Sequence, residues 1–186
     1  MWLLWHQREV IGAEELSVGA LTWGALTSAD PRALAAIART GTPRLPHLGP
    51  AVHRHLRELP SSVNGLSLTQ SLLLQILARG PASVGDLWRV SQGELEPMPF
   101  LGDTMFLHIL NQMGHAQPAV YERAVLDPER PFNDRLAITP TGHEVLQGVT
   151  DWLSLQPPLR WLGGVRVDPL RPNWRWDEAR QDVTMA

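Results

Sequence analysis

The chain of 186 residues carries 16 basic and 19 acidic side chains, a formal net charge of −3, and 44% hydrophobic residues. That balance excludes a chain left disordered for want of buriable surface, and a global positive field that would draw the protein to nucleic acid or anionic lipid. With no cysteine, disulfide scaffolds, thiol catalysis and cysteine-ligated zinc or iron–sulfur sites are excluded as well.

This length is enough for one compact body with a real core. The opening Met1-Trp2-Leu3-Leu4-Trp5 is apolar, but it lacks a basic leader and runs into His6, Gln7, Arg8 and Glu9. It therefore reads as neither a signal peptide nor a membrane span, and the expected address is cytoplasmic. Every basic residue is Arg and none is Lys, which a coding bias explains better than bidentate anion chemistry, because the arginines are scattered.

In chain order, Leu16, Ala20, Trp23 and Leu26 fall near helical spacing and predict a helix over Glu14–Leu26, broken by Ser28-Ala29-Asp30. Asp30-Pro31 opens a second helix to Arg39, since Asp can accept an orphan backbone N–H and proline at the first helical position gives up nothing. Thr42-Pro43-Arg44-Leu45-Pro46 is expected to be extended, because each proline pushes its predecessor out of the helical region. A third helix, Gly49-Pro50 to Leu59, places Val52, Leu56 and Leu59 inward and Arg54, Arg57 and Glu58 outward.

Ser67 and Gln70 fit a capping box, and Leu68, Leu72, Leu73, Ile76 and Leu77 then form an apolar stripe ending at Gly80. Ser83 to Asp86 repeats the capping logic ahead of Leu87, Trp88 and Val90. A loop with Gly93, Pro97 and Pro99 leads to a helix over Asp103–Met113, with Met105, Phe106, Ile109, Leu110 and Met113 on one face. Pro118–Leu126 and Arg135–Ile138 read as strands around a turn-rich segment from Asp127 to Asp134. Thr139 and Thr141 compete to cap a closing helix.

Helix, helix, helix, strand, turn, strand is the order of a winged helix. Beyond Pro157-Pro158, the runs Arg160–Val167 and Asn173–Asp177 read as a terminal hairpin. Trp174 and Trp176 share one strand face there, and the residues from Gln181 are expected to fray. The expected fold is α+β and mainly α. An N-terminal helical segment (1–66) packs on a winged-helix-like core (67–150), and a C-terminal tryptophan-rich hairpin and tail (151–186) closes it.

Several short runs in this order resemble a known family: Leu45-Pro46, His55 to Ser61, Gly65-Leu66-Ser67, Gly102-Asp103, Leu136 with Thr139 and Gly142, Trp161-Leu162-Gly163-Gly164-Val165, and Trp174-Arg175-Trp176-Asp177. From about Leu21 to Asp177 the chain resembles the C-terminal part of bacterial proteins in the domain-of-unknown-function family numbered 1835. The resemblance implies the architecture just described. It also implies that the relatives carry a further N-terminal α/β segment, whose activity does not transfer, and it brings no activity residue by residue.

For function, the DNA-binding alternative makes Asp103–Met113 the recognition helix, with Thr104, His108, Asn111 and Gln112 outward and Arg123, Arg130 and Arg135 on the wing. Against it stand a helix without Arg that begins with Asp, and the wing carboxylates Glu122, Asp127, Glu129 and Asp134. His53 and His55 point about 200° apart on a helix, so one ion could not take both, and they read as solvent-exposed. His143 and Glu144 are adjacent on a helix and do not face each other, so Glu144 reads as serving the cap and His143 the surface.

The serines lack a nucleophile elbow, and Gly163-Gly164 lacks the pattern of a phosphate loop. No catalytic, cofactor or metal residues are assigned. Trp161, Trp174 and Trp176 form a candidate interaction face, with folding back onto the body as the competing reading. The expected function is a non-enzymatic interaction or accessory module contacting protein or a second copy of itself, with no membrane; the alternative is a DNA-binding regulator of transcription type.

Overall fold

Ser67 Oγ accepts from the Gln70 backbone N–H at 3.3 Å while Gln70 Oε1 accepts from the Ser67 backbone N–H at 2.9 Å. That reciprocal cap starts the helix that lies deepest in the protein. In this computed structural model, which describes residues 6, 8, 10–124 and 129–186, the helix runs Leu68–Leu77 and buries Leu72, Leu73, Leu74, Ile76 and Leu77.

The fold is α+β and mainly α. In chain order it comprises α1 (Ala13–Leu26), α2 (Arg32–Thr40), α3 (Leu48–Leu56), α4 (Leu68–Leu77), β1 (Ala82–Ser83), α5 (Val84–Val90), α6 (Asp103–Met113), β2 (Tyr121–Ala124), β3 (Arg135–Ile138), α7 (Pro140–Leu146), β4 (Arg160–Leu162), β5 (Val165–Val167), β6 (Trp174–Asp177) and β7 (Asp182–Met185). β3 lies between β1 and β2, antiparallel to both, with Leu136 opposite Ala82 and Arg123. The expected order of three helices and two strands is present, with β1 added at the sheet edge. One continuous apolar core draws on all three expected segments, from Ala25 and Leu34 through Leu73, Phe106 and Leu136 to Val165 and Trp176.

Local chemistry sets most boundaries. Asp30 Oδ1 accepts from the Arg32 backbone N–H ahead of α2, but Pro31 stands at the N-cap of that helix instead of opening its first turn. Ser83 Oγ accepts from the Asp86 N–H to start α5. Between the two competing caps of α7 the structure selects Thr139, whose Oγ1 accepts from Gly142 N–H. Glu144 is not in the cap: its carboxylate accepts from Thr150. The Tyr121 hydroxyl donates to the Leu110 carbonyl at 2.6 Å, tying β2 to α6, and burial pushes its pKa up to about 12, so it stays a donor.

The structure corrects several expectations. Thr42–Pro46 is not extended: the Leu45 and Leu48 N–H groups donate back to Thr42 and Leu45, folding the prolines into successive turns. α3 ends at Leu56, and Leu59 reaches the core from the turn that follows. After α5 the chain makes a π-helical turn over Ser91–Leu95 before its loop. The first long strand begins at Tyr121, not Pro118, and its predicted end lies among residues 125–128, outside the described ones.

The terminal hairpin is two hairpins. Arg160–Leu162 pairs with Val165–Val167 around Gly163-Gly164, and Trp174–Asp177 pairs with Asp182–Met185. The chain end therefore does not fray, and Asn173 and Ala186 exchange both backbone hydrogen bonds. The first hairpin seats its glycine turn on the end of α1. Gly164 N–H donates to Leu26 at 2.8 Å, and a Cβ on Gly164 would stand 2.0 Å from the Thr27 carbonyl oxygen.

The three tryptophans of the expected face part company. Trp176 is 4% exposed and packed edge-on against His53, Trp174 is half-buried with the Arg32 guanidinium over its ring, and Trp161 is 62% exposed. Trp176 seals the body and Trp161 does not. Replacing Trp176 by Ala should therefore cost about 3–5 kcal/mol, as for other buried aromatics, whereas Trp161→Ser should stay within about 0.5 kcal/mol of the parent. Denaturant melts of the two variants check this, and equal losses would show the assignment of lid and surface to be wrong.

Candidate interaction cleft

The largest departure from the sequence reading is on α3. Arg54 and Glu58, expected on the outward face, are 4% and 8% exposed. The loop after the π-helical turn folds over them and delivers Glu96, whose side chain has no exposure. Arg54 Nε and Nη2 reach the two Glu96 oxygens at 2.6 Å each, and Nη1 reaches Glu58 Oε1 at 2.8 Å.

The lone pairs and protons left over are also used. Thr69 Oγ1 accepts from Arg54 Nη2 and donates to Glu58 Oε1, and the Thr69 and Met98 backbone N–H groups donate to Glu58 and Glu96. Burying charges is tolerated only when pairing is this complete.

Above this network lies a cleft of about 190 Å³. α6 supplies Met105, His108, Ile109 and Gln112, β4 supplies Arg160, Trp161 and Leu162, and the loop before α6 supplies Phe100 and Leu101. Glu58, Ser67 and Gln70 complete the lining. The Arg54 guanidinium sits 4.9 Å over the Phe100 ring, so the buried ions also hold one wall of the cleft.

Three large apolar side chains stand exposed around the cleft: Trp161, Phe100 at 55% and Met105 at 54%. Met105 was expected on the buried face of its helix; α6 instead turns Phe106, Leu110 and Met113 inward and leaves Met105 to the cleft.

Arg160 spans the cleft and the network. Its Nη2 donates to the Glu58 main-chain oxygen, and among the described residues no carboxylate lies within ion-pair distance of it. Burial pulls its guanidinium below the ordinary arginine value, and the Glu58 charge opposes that shift.

His55, next to Arg54, is half-buried beside Leu26 and Leu162, not solvent-exposed. Burial is the main cause holding its imidazole below the usual histidine pKa; Glu58 opposes this, and Arg54 and Arg160 add to it. His53, half-buried as well, instead meets Gln181 Oε1 at 2.7 Å. The two rings thus serve different neighbours, as their spacing requires.

The candidate DNA contacts are split by the fold. His108 and Gln112 line the cleft beside Trp161, while Thr104 and Asn111 remain exposed on α6. On the strand pair, Arg123 is held by Asp134 at 2.8 Å and by Asn111 Oδ1 at 2.7 Å, and Arg135 donates to the Pro81 carbonyl. Arg130 is exposed. Sequence reasoning reached Trp161, His108 and Gln112, but from two different hypotheses. It missed Arg54, Glu58, Glu96, Phe100 and Arg160, which come together only through contacts between distant parts of the chain. Among the described residues no three His, Asp or Glu side chains gather to hold a metal, and no helix is long and apolar enough to cross a membrane.

Two outcomes follow from the buried ions. Glu96→Gln leaves the Arg54 charge half-paired in the interior and should lower stability by about 3–5 kcal/mol, read from urea melts. For His55, a folded pKa below the unfolded value of about 6.5 means that the unfolded chain binds the proton more readily. Stability should therefore be lost as pH falls from about 7 towards 5, and His55→Gln should flatten that part of the pH profile of Tm. An unchanged slope in the variant would remove His55 from this role.

No family model, curated protein or solved structure matches the chain.

Proposed function

We propose that this chain is a non-enzymatic interaction module that contacts a protein partner through the cleft between α6 and β4. The middle of the chain serves it as a winged-helix-like layer. The observation that carries the reading is the gathering of Phe100, Met105 and Trp161, all more than half exposed, around one concave site with a polar base. Exposed apolar side chains scattered singly need no explanation, whereas a cluster rimmed by polar groups marks a contact surface. The resemblance to the family numbered 1835 belongs to this proposal and adds no activity to it.

DNA binding is the second reading, favoured by the element order and by the exposed Thr104 and Asn111 on α6. It is the weaker one. β4 and Trp161 share a cleft with the His108 and Gln112 side of that helix, and the Arg123 guanidinium is already committed to Asp134 and Asn111. Few cations are left to neutralise phosphates.

Site-specific photo-crosslinking in the native host separates the two. With p-benzoylphenylalanine placed at Met105 or Trp161, discrete protein adducts should form; the same group at the exposed His143 should give none. Nuclease-sensitive adducts at the cleft positions would favour DNA binding, and absence of adducts at both would sink the docking reading.

A further inference from the structure

We propose that the cleft receives the C-terminal residue of a partner polypeptide, its apolar side chain against Trp161, Phe100 and Ile109 and its free carboxylate on Arg160. This rests on the docking reading above and adds the chemistry of the occupant.

Arg54, Glu58 and Glu96 close a network in which every charged group has a direct ionic partner. Arg160 has none among the described residues: one of its N–H groups serves a carbonyl, and the carboxylate that acts on it at longer range, Glu58, is already committed to Arg54 and Thr69. A planar guanidinium with donors to spare at the edge of an apolar cleft complements a carboxylate, which it can take with two parallel hydrogen bonds.

Size and neighbouring groups narrow the class. A cleft of about 190 Å³ is smaller than the roughly 300–1,000 Å³ of sites that enclose drug-sized ligands. It accommodates one large side chain, not a whole cofactor. An anion and an apolar side chain so close together describe a chain terminus, where both leave the same Cα. The Gln112 carboxamide and the His108 ring line the same cleft and make no side-chain hydrogen bond to the described residues, so they are available to the peptide group that precedes such a terminus.

The test uses the full chain, ¹⁵N-labelled, with the Trp161 indole N–H cross-peak identified by its loss in Trp161→Phe. N-acetyl-leucyl-phenylalanine is titrated in, followed by its C-terminal amide and by 3-phenylpropionate. The acid should shift the Trp161 signal, and the amide should bind at least about tenfold more weakly, the ratio that loss of a charge-assisted hydrogen bond gives. 3-Phenylpropionate should fall short of the dipeptide acid. Arg160→Gln, checked for an unchanged melting curve, should erase the preference for acid over amide, and Arg160→Lys, which keeps the charge but not the two parallel hydrogen bonds, should reduce it.

Equal binding of acid and amide at Trp161 would overturn the carboxylate pairing while leaving the docking reading intact. 3-Phenylpropionate as tight as the dipeptide would overturn the peptide terminus in favour of a small carboxylic acid. No shift by any probe up to about 10 mM would overturn the inference, and the crosslinking result then decides the docking reading by itself.

Discussion

The bidentate pair between Arg54 and Glu96 is the contact on which the shape of the cleft depends. It joins α3 to a loop forty-two residues away in sequence, and that loop carries Phe100 and Leu101 into the cleft. A buried ion pair is weak evidence for stability, since desolvating two charges offsets much of their attraction. Its consequence here is positional. An apolar substitute for the pair could fill the same volume, but it would not fix where the loop after Leu95 lands. Glu96 is held through both oxygens by Arg54 and accepts from the Met98 N–H as well.

The rest of the fold converges on the same region from the C-terminal side. Pro157-Pro158 delivers the chain to β4, and the glycine turn of that hairpin locks onto Leu26 and Thr27 at the end of α1. The second hairpin is fastened independently. Trp176 donates through its backbone N–H to Pro60 and accepts at its carbonyl from Ser62, while Arg175 reaches Asp151 at 2.6 Å and Arg39 pairs with Asp182. β4 is thus held from behind by a glycine contact that admits no side chain, and it presents Arg160 and Trp161 forward.

What was legible in the sequence follows the range of the interactions. The capping box of α4, the Ser83 cap of α5, the bounds of α6 and the strand Arg135–Ile138 are all set by residues within a few positions of one another, and each was readable. Arg54 and Glu58 look like a solvated i,i+4 pair because nothing within ten residues says otherwise; the group that buries them is Glu96. The hairpins were misjoined for a related reason. Trp174 and Trp176 predict a strand, but alternation does not name the partner strand, and Asp182–Met185 is too polar at its start to announce itself.

The site divides along the same line. Trp161 could be picked out as an aromatic in a short strand, and His108 and Gln112 as outward positions on a helix, yet no local pattern places them around one cleft. Only the packed structure shows that two of the α6 positions expected to meet a DNA groove, His108 and Gln112, share a cleft with β4. The charges sharpen the point. Arg54 and Arg160 balance Glu58 and Glu96 in number, but the direct bonds are distributed unevenly: three groups close on themselves and the fourth is left beside an apolar cleft. A guanidinium so placed interacts with the Glu58 charge at longer range and has donors beyond the one given to the Glu58 carbonyl, which is the feature the proposed carboxylate recognition draws on.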